Sequence, residues 1–217
     1  MRRKINLLLL LLVFSSTAAL WAADAINYPA RARELAQPLV DNGMLVGLSI
    51  GLYKDGQTFY AGVGSTTREG DGVTPDENTI YEIGSISKVF TSLILSDMVL
   101  SGALKLDDTA QKYMPEGVTL PSFEGEPIRL LNLSQHSSGL PRMPDNFRPR
   151  DEANPYADYM TDQLYEFLNS YKLTRKPGSV FEYSNLGAGL LGHVLELASK
   201  KDYETLLKEH VTGPLGL

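Results

Sequence analysis

Apolar positions along the chain change period more than once, and the changes mark its organisation. Over residues 30–39 they recur at helical spacing (Ala32, Leu35, Ala36, Leu39). Residues 46–53 then read as a strand, Lys54-Asp55-Gly56 as a turn and 58–63 as a second strand, so an Asp-Gly β-hairpin is expected. An extended segment, 80–83, gives way through Gly84 to residues 86–100. There Val89, Phe90, Leu93, Ile94, Leu95, Met98 and Val99 cover most of a helix circumference, which predicts a central, buried helix ended by Gly102. A Pro- and Gly-rich stretch, 114–155, is irregular apart from 128–133, and irregular chain of that length commonly walls a site. Helical patterns return at 162–171, 186–199 and 202–210, and neither an internal repeat nor a low-complexity segment interrupts them.

Strands first and helices afterwards predict an α+β fold with one convincing hairpin. A two-stranded hairpin is marginal alone. The sequence closes on Gly213-Pro214-Leu215-Gly216-Leu217 without another β-pattern, so a C-terminal part of the sheet is expected to be missing, which would leave a chain of this extent unstable and inactive. The start of the chain has a separate logic. Arg2, Arg3 and Lys4 precede an apolar run over 7–14 and then small residues up to Ala25, the pattern of a secretory signal peptide over residues 1–25. That run is shorter than the roughly 20 residues needed to cross a bilayer. Cleavage after Ala23 or Ala25 leaves residues 26–217 as an exported, periplasmic or secreted domain without a stable membrane span, expected to be a monomer. No cysteine follows the run to carry a lipid anchor.

Composition narrows the function. With 43% hydrophobic and 21% charged residues among 217, the chain is of ordinary globular composition, which excludes disorder and collagen. The absence of cysteine excludes a disulfide scaffold and a thiolate zinc site. A net charge of −6 gives no reason to expect nucleic acid as a partner. Neither His-x-x-x-His nor Glu-x-x-His spacing occurs among the three histidines, so no metal site is readable and no cofactor is expected.

Two serines compete as nucleophiles. Gly47-Leu48-Ser49-Ile50-Gly51 matches G-x-S-x-G, but that motif works on a strand-to-helix elbow, and Ser49 lies inside the first strand of a hairpin. It reads as structural. Ser85-Ile86-Ser87-Lys88 is the one Ser-x-x-Lys of the chain and lies where extended chain enters the apolar helix. Residues three apart share a helix face, so the Lys88 amine can reach the Ser85 hydroxyl, and unpaired N–H groups of the first turn can face a developing oxyanion. Desolvation by the apolar surroundings would lower the Lys88 pKa and let it accept a proton. By composition Ser-x-x-Lys occurs on the order of once in a chain of this length, so it needs a second element.

Tyr183-Ser184-Asn185, after Pro177-Gly178 at a helix entry, supplies one. A phenol beside one or two cations ionises below its reference value near 10 and can act as a base, while Asn185 can orient Lys88 and a substrate amide. A bland reading, an aromatic core residue followed by an Asn cap, competes with it. His136 and His193 are the natural partners for Ser/His/Asp chemistry, but His136 is expected to hydrogen-bond within its loop and His193 to be structural on an apolar helix.

Ser85-x-Ser87-Lys88, Tyr183-Ser184-Asn185 and the loop Leu133-Ser134-Gln135-His136-Ser137-Ser138-Gly139-Leu140-Pro141 together resemble the penicillin-recognising serine hydrolases of class C β-lactamase type, a family that includes D-Ala-D-Ala peptidases and esterases. The likeness runs from Gly43 to Leu217 with the motifs in family order. It implies the β-lactamase/penicillin-binding-protein fold, an antiparallel sheet with flanking helices plus an all-helical region, here incomplete at the C-terminus. It further implies Ser85 as acylated nucleophile, Lys88 as base or proton shuttle, Tyr183 as general base and later acid, and Asn185 as substrate-binding residue and partner of Lys88. The family's third motif, Lys-Thr-Gly or His-x-Gly on a strand, is absent; Val211-Thr212-Gly213 imitates it but follows a helix. The implied substrates are small β-lactams or peptidoglycan peptides. An esterase using the same residues is the nearest alternative, and a non-catalytic peptidoglycan-sensing protein of the same fold is a more distant one.

Overall fold

The computed structural model describes residues 26–217, so the signal peptide expected over 1–25 lies outside the described residues. The described residues form two compact units that divide after Glu82, the second spanning Ile83–Leu217.

In the first unit the Asn27 side chain accepts the Ala30 N–H at 3.1 Å and so caps α1 (Tyr28–Asp41). The hairpin follows as β1 (Gly47–Lys54) and β2 (Gln57–Gly64), antiparallel from Gly47↔Gly64 to Lys54↔Gln57. Asp55 and Gly56 take φ of 51° and 80°, the two left-handed residues that a tight type I′ turn requires. Helix α1 lies against the hairpin, with the Tyr28 and Phe59 ring centroids 5.2 Å apart and Ala36, Ala61 and Val63 buried. Among the described residues no third strand pairs with it. Ser49 sits within β1 opposite Gly62, and its hydroxyl donates to the Asp76 carbonyl at 2.9 Å. No strand-to-helix elbow exists there to present it.

The second unit is helical. A 3-10 turn (Gly84–Ile86) leads into α2 (Ser87–Leu100), a second 3-10 turn spans Ala110–Tyr113, and a short antiparallel ribbon pairs β3 (Ser122–Phe123) with β4 (Glu126–Pro127). Helices α3 (Leu130–Ser134), α4 (Thr161–Ser170), α5 (Asn185–Ser199) and α6 (Tyr203–Leu207) follow, then a π-helical turn (Lys208–Thr212) and α7 (Gly213–Leu215). The core joins Ile94, Leu95 and Met98 of α2 to Leu190, Leu191, Val194 and Leu195 of α5, with Leu133, Phe167, Leu168 and Leu206 closing around them. Helices and small antiparallel pairs make this an α+β arrangement. Among the described residues no helix is long and apolar enough to cross a membrane.

Three expectations change. Helix α2 is buried along one stripe, Thr91, Ile94, Leu95 and Met98, while Val89 and Leu93 remain 58% and 44% exposed. An all-round apolar helix needs neighbours on every side, and within this unit α5, α6 and the π-turn pack against it on the buried one. Residues 80–83 are irregular rather than a strand, and the helix expected over 202–210 passes from α6 into the π-turn. The end of α2 is as expected: Gly102 has φ 79°, its N–H reaches the Val99 carbonyl at 3.0 Å, and the Ala103 N–H reaches Met98 at 2.9 Å, a Schellman closure.

Leu190 is fully buried at the centre of this core. Leu190→Ala should lower unfolding free energy by about 2–5 kcal/mol, measured by denaturant titration of the intact protein against wild type; a change below about 1 kcal/mol would contradict this packing.

Candidate active site

Gly84 takes φ 52° and turns the chain into the 3-10 turn that carries Ser85. Lys88 follows three residues later in the first turn of α2, on the same face, and its Nζ donates to Ser85 Oγ at 3.2 Å. Ser85 is exposed and Lys88 half-buried, so Lys88 is less desolvated than the sequence suggested.

Tyr183 arrives from the entry to α5, 98 positions along the chain, and its hydroxyl donates to Ser85 Oγ at 2.7 Å. That entry is fixed by hydrogen bonds it donates to the loop of His136 to Arg142. The Gly178 and Glu182 N–H groups donate to the Ser137 and His136 carbonyls, each at 2.7 Å, and the Asn185 and Leu186 N–H groups donate to the Arg142 carbonyl at 3.0 and 3.2 Å. Between them the buried Ser184 caps α5: its hydroxyl accepts the Gly187 N–H at 2.8 Å and donates to the Pro141 carbonyl at 2.6 Å. An ion pair between Arg175 and Glu182 ties down the residue before Tyr183.

His136 holds the ring of Tyr183 from beside it, with centroids 4.5 Å apart. Its Nδ1 accepts the Ser184 N–H at 3.2 Å, which leaves the proton of the neutral ring on Nε2. Burial, and then the Lys88 charge, push its pKa below the usual histidine value. The partner differs from the expectation of a bond within its own loop: the ring reaches the entry to α5, 48 positions along the chain. His193 instead bonds Tyr165 OH at 2.7 Å and Glu196 at 3.2 Å, two turns along α5 from Asn185.

Two cations bear on the phenol. Lys88 Nζ lies 5.0 Å and the Arg142 guanidinium carbon 5.2 Å from the Tyr183 ring centroid. The Lys88 ammonium, then the Ser85 hydroxyl, with a further share from Arg142, hold the Tyr183 phenol below the usual tyrosine value. The arrangement can therefore keep a proton acceptor and a cation on one serine oxygen at once.

Asn185 departs from expectation. Its amide donates to Met143 Sδ at 3.6 Å, and no hydrogen bond joins it to Lys88 among the described residues, because as the first residue of α5 its side chain is turned toward the loop of Met143. It still lines an open pocket of about 730 Å³ together with Ser85, Lys88, Thr91, Arg142 and Tyr203. Val211 and Thr212 lie in the π-turn and Gly213 opens α7, so this triplet forms no strand. No cluster of three potential metal-ligating side chains occurs among the described residues.

Sequence reasoning missed the capping role of Ser184, quoted only as the middle of its motif, and missed Arg142 altogether. A serine three residues before a helical Gly is a legible cap, and Ser184 could have been found that way. Arg142 carries no local signal, since it joins the site only through the folding of the irregular loop.

The Beta-lactamase family model matches residues 32–217. Among curated proteins, the D-alanyl-D-alanine-carboxypeptidase/endopeptidase AmpH of Escherichia coli (strain K12) is 33% identical over 209 residues, covering 94% of this chain and 53% of that protein. A beta-lactamase of Pseudomonas fluorescens is 31% identical over 182 residues, 83% of this chain and 47% of its own. Among solved structures, the beta-lactamase/D-alanine carboxypeptidase of Yersinia pestis superposes with a TM-score of 0.73 at 33% identity, over 84% of this chain and 54% of that one. The chain spans about half the length of the curated relatives it matches.

The cations around Tyr183 set a spectroscopic expectation. In an ultraviolet difference titration one tyrosine should ionise below the rest, and Tyr183→Phe should remove that component. Lys88→Met should move it upward, since losing the cation destabilises the phenolate; an unmoved component would dissociate Lys88 from Tyr183.

Proposed function

The chain belongs to the Beta-lactamase family, and on that premise we propose that it is an exported serine hydrolase which acylates Ser85 and releases the acyl group to water. One observation carries the reading: Ser85 Oγ receives Lys88 Nζ at 3.2 Å and Tyr183 OH at 2.7 Å. Each is within hydrogen-bond reach of the atom it would serve, the first requirement of proton-transfer catalysis.

With Tyr183 ionised beside Lys88, the polarity of the 2.7 Å contact reverses and Ser85 becomes the donor. Oγ then attacks the carbonyl carbon as its proton passes to the phenolate, and Tyr183 returns that proton to the leaving nitrogen. A water hydrolyses the ester by the same route in reverse. Lys88 stays a cation throughout, holding the phenolate and orienting Oγ. Asn185, on the pocket wall one helix entry away, is the substrate-binding amide in this reading.

The names of the relatives point to two substrate classes, β-lactams and peptides ending in D-alanyl-D-alanine. Export rests on the basic and apolar pattern over residues 1–25 and places the reaction in the periplasm or outside the cell.

A fluorescent penicillin should label the intact protein covalently, and Ser85→Ala should abolish the label; labelling that persists places the nucleophile elsewhere. Lys88→Met should slow acylation about a hundredfold or more while the fold is kept, and an unchanged rate would sink the proposed proton route. Turnover of a short-chain nitrophenyl ester without turnover of nitrocefin would replace this reading by an esterase one.

A further inference from the structure

The pocket at Ser85 is lined by two basic side chains, Lys88 and Arg142, and of the two only Lys88 touches the nucleophile. Arg142 is exposed, and its place is set by its backbone, whose carbonyl accepts the Asn185 and Leu186 N–H groups. Its guanidinium has another occupation. Among the described residues it forms no ion pair, which is equally true of Arg33, Arg68, Arg129 and Arg148, but of these Arg142 alone lines the pocket at Ser85. The fork of five donors stands over the face of Tyr183, 5.2 Å from the ring centroid, and Tyr183 in turn bonds Ser85. One tyrosine ring thus separates the guanidinium from the nucleophile.

We propose that Arg142 is a specificity residue that binds a carboxylate of the substrate, one carried within about two residues of the bond that Ser85 attacks. A planar guanidinium matches a carboxylate by two parallel N–H···O bonds, and it does so best where no protein carboxylate competes. An extended chain covers about 3.3–3.6 Å per residue, so a substrate held at Ser85 can place a carboxylate against Arg142 from its leaving-group side or from its acyl side. The backbone anchoring of Arg142 to the first turn of α5 keeps the fork in register with Tyr183 and Asn185. The proposal rests on the hydrolase reading only in taking Ser85 as the point of attack.

Binding to the intact Ser85→Ala protein tests recognition apart from chemistry. Two ligand pairs separate the two sources of the carboxylate: N-acetyl-D-Ala-D-Ala against its C-terminal amide, and N-succinyl-D-Ala-D-Ala amide against N-acetyl-D-Ala-D-Ala amide. With Arg142 in place, the carboxylate member of one pair should bind about tenfold or more tightly by NMR titration. Arg142→Gln should shrink that preference below twofold, and Arg142→Lys, which keeps the charge and loses the fork, should restore part of it. Because the helix contact is made by the backbone carbonyl, these variants should keep the wild-type circular dichroism.

Equal binding within both pairs, no binding of either carboxylate ligand, or a preference that survives Arg142→Gln overturns the proposal. So does an equal loss on both members of a pair, which would make Arg142 a partner of Tyr183 alone. Failure of penicillin labelling at Ser85 would instead remove the hydrolase reading and leave the carboxylate preference measurable.

Discussion

Everything at the site depends on how α2 packs against α5. Ser85 and Tyr183 belong to the approaches to these two helices, 98 positions apart, and their oxygens meet at 2.7 Å because the helices are fixed side by side. Ile94, Leu95 and Met98 on one side and Leu190, Leu191, Val194 and Leu195 on the other supply that contact. Close-packed interiors resist small displacements, so two side chains placed at the helix starts inherit a precision that neither loop has alone.

A second layer of constraint surrounds the tyrosine. Ser184 closes the first turn of α5 and grips Pro141, His136 lies against the ring while accepting the Ser184 N–H, and Glu182 is tied to both His136 and Arg175. Polar groups next to Tyr183 are thus committed to one another, which leaves the phenol to Lys88, Ser85 and Arg142. A neutral His136 adds no third positive charge there, and the field at the phenol is set by Lys88 and Arg142. The site is built from commitments of backbone polarity as much as from its reactive atoms.

The exposed apolar stripe of α2 belongs to the same accounting. Val89 and Leu93 follow the helical spacing that puts Ile94 and Leu95 into the core, yet they face outward. Periodicity reports which residues avoid water, whereas burial also needs a neighbour, and within Ile83–Leu217 helices α5 and α6 serve one side of α2. The hairpin has the same character, with strands paired to each other and α1 on them.

Sequence by itself determined what is local. The Asp55-Gly56 turn, the Schellman end of α2 at Gly102 and the approach of Lys88 to Ser85 follow from backbone conformations and spacings only a few residues long. It also determined which motifs to bring together, since Ser85-x-x-Lys88 and Tyr183-x-Asn185 each carry chemistry that the other lacks. Tertiary structure alone decided the rest. Asn185 turns to Met143 rather than Lys88, Lys88 is half-buried, and Arg142 comes over Tyr183 out of an irregular loop without periodicity. These outcomes depend on contacts between segments some 40 to 100 residues apart, and a pattern read along the chain contains the spacing of neighbours but not the distances that packing imposes.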